Sequence, residues 1–284
     1  MKEGIYMKSR LRKRLAYLKW RCMTFLSRRR VRQVYPDPSQ VYWIDPASIR
    51  LAVDQCARDR LAPSDKKSTH PVYERGRIVS GTWDLNNVTF EDMDVWQAFQ
   101  SHFEDGVPWC KTPFYDRIIG TIDGGIRMWG CTSSEELDQR LHGIDVLYRQ
   151  IEQHGFRTQA DLGNVEGAVP GPEDAINVHI GRDGDYIFAD GRHRLCIAKL
   201  LGLRRVPVKV ARRHTRWVNF RKEVLAYAAS HDSKLYAPLL HPDLADIPSA
   251  HGHDRMELLR NAMTHPPGTL LDIGSHWRYF CHCF

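Results

Sequence analysis

A chain of 284 residues has room for one large domain or two ordinary ones, with ample surface to bury in either case. Hydrophobic residues at 42% and charged residues at 26% are globular proportions, and no apolar run approaches the roughly 18 residues of a membrane span. The formal charge of +7 is unevenly spread: residues 1–34 hold twelve Lys or Arg against Glu3, a local +11, which leaves residues 35–284 at −4, the difference between +7 and +11. Any attraction to nucleic acid or anionic lipid that comes from net charge therefore belongs to the N-terminal segment.

Within that segment Leu11, Leu15, Leu18, Cys22 and Phe25 recur at helical spacing and basic side chains fill the remaining positions, which predicts a basic amphipathic helix over 1–34. Three uses fit it: lying on an anionic membrane, touching nucleic acid, or packing its stripe on the rest of the protein. Pro36 and Pro38 then mark a boundary. From Val41 to Val53 the pattern predicts a short strand, a turn at Asp45-Pro46 and another extended or helical piece, followed by a polar loop. Ile78 and Val79 are strand-like, ahead of Trp83 and Asp84, and the next helix carries Trp96, Phe99 and Phe103 on one side. Thr132-Ser133-Ser134-Glu135 fits a capping box that opens a long helix. Its core stripe is Leu137, Leu141, Ile144, Tyr148 and Ile151, with Gly155 placed to end it.

From about residue 172 the pattern changes. Residues 176–180 alternate as a strand, 181–185 carry turn residues and 186–188 return as the partner. A helix follows with Leu195, Ala198 and Leu201 inward and Gly202 at its end; residues 206–210 form a further strand, and another helix spans about 216–229. Seven scattered cysteines without paired CxxC spacing, and no signal peptide, predict reduced thiols and a cytoplasmic protein. Cys281-His282-Cys283 offers adjacent ligands with no partners elsewhere, so no metal site is expected there.

Polar chemistry concentrates at Asp190-Gly191-Arg192-His193-Arg194, where a strand becomes a helix. The first turn of a helix presents unpaired N–H groups and the positive end of the dipole, and a glycine permits close backbone approach. Two arginines and a histidine on that turn gather donors suited to phosphate oxygens. Asp190 has three uses open to it: capping the helix, orienting an arginine, or helping to hold a metal ion. The plainer alternative is a capped surface helix whose arginines make ordinary salt bridges.

The stretch FADGRHRLCIAKLLGLRRVPVKV resembles the nucleotide-binding core of the ParB/sulfiredoxin-like superfamily, whose members place Gly-x-x-Arg or Gly-Cys-His-Arg at this strand-to-helix turn. The resemblance covers about 41–215 and is closest over 174–210. It implies an α+β fold, a mixed sheet with helical insertions, that binds ATP or CTP with or without Mg2+. His193 and Arg194 would then contact nucleotide phosphates while Gly191 and Arg192 shape the loop. The catalytic cysteine of sulfiredoxins falls at Arg192 here, so sulfinic acid reduction is not implied. The helix-turn-helix domain that follows in ParB partition proteins has no counterpart after 215. Relatives that phosphorylate free serine carry a similar Asp-Gly-His-His-Arg element and need a catalytic carboxylate. The candidates are Asp190, Asp84 and Glu173, with Asp174 beside the last.

Residues 241–280 resemble the entrance to a class I S-adenosylmethionine-dependent methyltransferase, a helix and a first strand running into an acidic-x-Gly loop. By that resemblance Asp272 and Gly274 would line the S-adenosylmethionine pocket, although Arg278 stands where a later glycine is usual. The acid that holds the ribose, ~20 residues further on in such folds, and the roughly 100 residues completing the sheet would lie beyond 284. The expectation is thus three segments: a basic helix over 1–34, a ParB/sulfiredoxin-like domain over 35–230, and an incomplete Rossmann-like α/β start over 231–284. The expected function is a nucleotide phosphate-binding module fused to a methyltransferase cut short in this chain. The alternatives are a phosphotransferase or NTPase, and a ParB-like DNA-binding module whose acidic body counts against it.

Overall fold

The computed structural model describes residues 40–53, 76–156 and 176–262. The basic helix over 1–34, Glu173, Asp272 and Gly274 lie outside the described residues. Two compact units appear, Met1–His214 and Thr215–Phe284.

The first unit is α+β and is built on one mixed sheet. Its strands are β1 (Val41–Ile44), β2 (Leu51–Val53), β3 (Arg77–Val79), β4 (Asn87–Thr89), β5 (Ile176–Ile180), β6 (Tyr186–Asp190) and β7 (Val206–His214), in the order β1-β7-β5-β6-β2-β4. The nine-residue β7 organises the sheet. Along one edge its first half pairs antiparallel with β1, from Ile44↔Val206 to Val41↔Lys209, and its second half pairs parallel with β3, from Arg77↔Arg212 to Val79↔His214. Its other edge pairs parallel with β5. β5 turns back antiparallel onto β6, and β6 pairs parallel with β2.

All five residues of β5 are buried, including Asn177 and His179. The alternating pattern read from the sequence is real, yet it separates no wet face from a dry one, because a central strand is covered on both sides. Between Asn177 and Val178 the β5–β6 register shifts, so that Asn177 opposes Asp190 while Val178 opposes Phe188. A bulge of this kind locally re-aims the strand, and this one lies immediately before the arginine-rich turn.

Helices α1 (Asp94–Phe103), α2 (Pro113–Asp123), α3 (Ser134–His154) and α4 (Arg192–Leu200) complete this unit, and α4 packs on α1, α3, β5 and the short turn Pro46–Ser48. Helix α2 escaped the sequence pattern, although Thr112 caps it, Pro113 occupies its first turn and Phe114, Ile118 and Ile122 form its buried stripe. Helix α3 starts one residue later than the capping box suggested. Ser133 is the N-cap and accepts from the Glu136 N–H, while the Glu136 carboxylate reaches back to the Thr132 N–H and hydroxyl. Gly155, at φ 70°, ends it as expected.

The second unit contains α5 (Thr215–Ala229) and α6 (Asp254–Ala262). Arg221 of α5 is 2% exposed. Its guanidinium binds the Asp243 carbonyl at 2.7 Å and both carboxylate oxygens of Asp246, while the Trp217 indole donates to Asp243 at 2.9 Å. These bonds tie α5 to the loop that follows it. Among the described residues no helix is long and apolar enough to cross a membrane.

Candidate functional site

The strand-to-helix turn forms one side of a cleft of about 350 Å3, lined by Asp190, Gly191, Arg192, His193 and Arg194 together with Trp129, Arg140 and Leu147. Gly191 is the N-cap of α4, with φ 90° and ψ 33°. Two constraints require glycine there. The left-handed backbone disfavours any L side chain, and a Cβ would sit 3.1 Å from the Ile176 Cα of β5. The missing side chain also leaves the first turn of α4 without a side-chain cap. Asp190 Oδ1 accepts the Gly191 N–H at 2.9 Å.

His193 is enclosed by aromatic rings. Phe99 of α1 stacks on it at 5.9 Å and 12°, and Trp129 lies 4.6 Å away at 58°. Desolvation, reinforced by the positive charges of Arg192, Arg140 and Arg194, lowers its pKa to about 3. The imidazole is therefore neutral at physiological pH. Its Nε2 is shielded from solvent and finds no hydrogen-bond partner among the described residues. A buried polar atom left unpaired costs about 1–3 kcal/mol.

Trp129 is held in an unusual way. Met128 and Cys131 exchange both backbone hydrogen bonds, at 2.8 and 3.1 Å, around a two-residue turn with φ of 53° at Trp129 and 80° at Gly130. This is the type I′ geometry that Asn, Asp and Gly usually occupy. A bulky tryptophan at positive φ is strained by on the order of 1 kcal/mol. Its ring packs on Phe114 at 4.7 Å and carries two guanidinium groups, Arg192 of α4 at 5.8 Å and Arg140 of α3 at 5.9 Å from its centroid.

Asp84 lies elsewhere. Its carboxylate sits beside the β5–β6 hairpin turn, where Arg182 holds it by Nη2 at 2.8 Å, Nε at 2.9 Å and its backbone N–H at 2.8 Å. His214 Nε2 stands 3.9 Å away and hydrogen-bonds the Gly81 carbonyl at 3.0 Å. The Arg182 bonds outweigh the opposing effect of burial and hold the Asp84 pKa down to about 2. Asp190 ends β6 and the hairpin turn precedes it, which separates the two sites by on the order of 15 Å along the strand. Cys196 is fully buried in α4 and burial pushes its thiol well above the usual range, which excludes it as a nucleophile.

Asp190 through Arg194 were thus legible as a group, and Asp84 does not join them. Sequence reading missed the opposite wall. Arg140 stands four residues before buried Ile144 and seven before Leu147, beside the core stripe of α3. The signal for Trp129 was the Trp129-Gly130 pair between Met128 and Cys131. Among the described residues no cluster of three His, Cys, Asp or Glu side chains is placed to hold a metal ion.

The fold and site define a mixed α+β domain with an arginine-rich cleft at a strand-to-helix turn. Compared with known proteins, the chain matches no family model, no curated protein and no solved structure.

Proposed function

We propose that the first unit is a nucleotide phosphate-binding module, taking ATP or CTP at the cleft beside α4. One observation carries this reading: three arginines, a glycine with no room for a side chain and a neutral histidine with an unpaired buried nitrogen all line the same concavity. Phosphate oxygens accept hydrogen bonds from guanidinium groups, helix N-terminal N–H groups and a neutral imidazole N–H. At a pKa of about 3 His193 is too weak a base to take a proton at neutral pH, which favours its use as a donor.

Asp190 is the carboxylate in the cleft lining, and a phosphotransferase reading has to place its base there. Asp84 is poorly suited to that role because its oxygens are committed to Arg182. The proposal extends to residues 231–284 as the opening of an S-adenosylmethionine-dependent methyltransferase, supported by sequence resemblance alone. Calorimetric titration of the full chain with ATP and CTP, for the native protein and Arg194→Ala, tests the phosphate-binding half. We expect binding to be lost in the variant with an unchanged unfolding midpoint. Equal affinity in the two proteins overturns the assignment.

A further inference from the structure

The cleft is also lined by Arg140, which the strand-to-helix turn does not provide, and Arg127 stands near Arg140 across Gly130. Arg140 and Arg127 are both exposed, and both flank Gly130: a Cβ built on that glycine would lie 3.9 Å from Arg140 Nη1 and 4.0 Å from Arg127 Nη2. Neither guanidinium forms an ion pair among the described residues. Arg127 Nε donates to the Gly130 carbonyl at 2.9 Å, and Arg140 rests over the Trp129 ring. Glu136 feels the charge of Arg127 and holds Thr132 through one oxygen, Oε2. Two guanidinium groups thus flank one glycine, neither in an ion pair among the described residues, beside the Met128–Cys131 turn and α3.

Like charges brought together repel, and natural surfaces usually intersperse acids among them. A tryptophan kept at positive φ between this rim and α4 is a further local departure. Both make sense if the rim faces an anion. His193 lines the same cleft, and the ring of Trp129 reaches from that imidazole to the guanidinium of Arg140. Trp129 is thus the bridge between the α4 turn and the rim.

We infer that Arg140 and Arg127, positioned by Trp129 and Gly130, form a second anion subsite that takes the distal phosphoryl group of a polyphosphorylated ligand. This rests on the phosphate-binding reading above and deepens it. The α4 turn holds the first phosphoryl group, and the rim distinguishes nucleoside di- and triphosphates from monophosphates. Planar guanidinium suits the rim better than ammonium, since it stacks on the indole while its outer edge binds phosphate oxygens. Arg140 is exposed, so removing it leaves the core intact.

The test is calorimetry of the full chain with ATP, AMP, pyrophosphate and orthophosphate, comparing the native protein with Arg140→Ala, Arg140→Lys and Arg194→Ala. Loss of a charge-assisted contact predicts that Arg140→Ala weakens ATP and pyrophosphate by about 20-fold, with AMP and orthophosphate within about twofold. Arg140→Lys should restore part of the lost affinity, and Arg194→Ala should weaken all four ligands. If Arg140→Ala changes mono- and polyphosphates equally, or changes neither, the subsite is wrong. In that case a continuing effect of Arg194→Ala keeps the phosphate-binding reading. If the native protein binds none of the four, both proposals fall.

Discussion

The two ends of the β5–β6 hairpin handle arginine in opposite ways. At the turn end, Arg182 meets Asp84 in a fork of three hydrogen bonds, with side-chain exposures of 18% and 2%. At the far end, Arg140 leans on Trp129 and has no carboxylate partner among the described residues, while a buried histidine is kept neutral beside it. A guanidinium whose geometry is completed by a buried carboxylate stabilises the fold. One that rests on an aromatic face and points into a cleft is available for chemistry with something else. The number of arginines is a poor guide to a binding site; where their counter-charges lie separates structure from function.

The contrast can be broken most sharply at the paired end. Asp84→Asn leaves the Arg182 guanidinium without its counter-charge and should lower stability in urea unfolding, with nucleotide affinity unchanged. Equal stability of variant and native protein would show that the pair is dispensable. At the cleft end, Gly191→Ala forces a side chain into a left-handed position against Ile176. We expect about 2 kcal/mol of destabilisation together with weakened nucleotide binding. A stable variant with native affinity would mean that β5 yields easily.

Acid should separate the ends by pH window. The folded-state pKa of His193 is depressed from 6.5 to about 3, so the unfolded chain takes up the proton first. Its contribution is complete above pH 6.5 and declines as pH falls from there toward 3. The carboxyl of Asp84 is lowered from 3.8 to about 2, so its contribution is full above 3.8 and is lost as pH falls through 2. Unfolding free energies measured along a pH series should therefore lose their slope between 6.5 and 4 in His193→Gln and keep it in Asp84→Asn. If the His193→Gln slope matches the native one, the histidine is not held neutral. The smallest expected effect is that of Arg140→Ala on stability, within about 0.5 kcal/mol of native because the side chain is exposed and unpaired. A larger loss would make this arginine structural and erase the contrast.

Much of this architecture was readable in local pattern. The β5–β6 hairpin, the helix after Gly191, the stripe of α3 and its end at Gly155 follow from periodicity, glycine placement and capping residues, all of which act over a few positions. Helix α2 carried the same kinds of signal in Thr112, Pro113 and the Phe114, Ile118, Ile122 stripe, interrupted by Gly120. The polar half of the site was legible because Asp190 to Arg194 are contiguous. Its other half was not, since Trp129, Arg140 and His193 come together only when α3 and the Met128–Cys131 turn pack beside α4.

The sequence alone indicated most of the helices and strands of the first unit and one short stretch rich in arginine, because propensity, capping and glycine conformation are local properties of the chain. Tertiary structure decided which arginines are neutralised and which are not. It brought Arg182 to Asp84, 98 positions away, and set Arg140 over an indole without a carboxylate partner among the described residues. Charge interactions depend on distance through space and on burial, and neither is written in the order of residues.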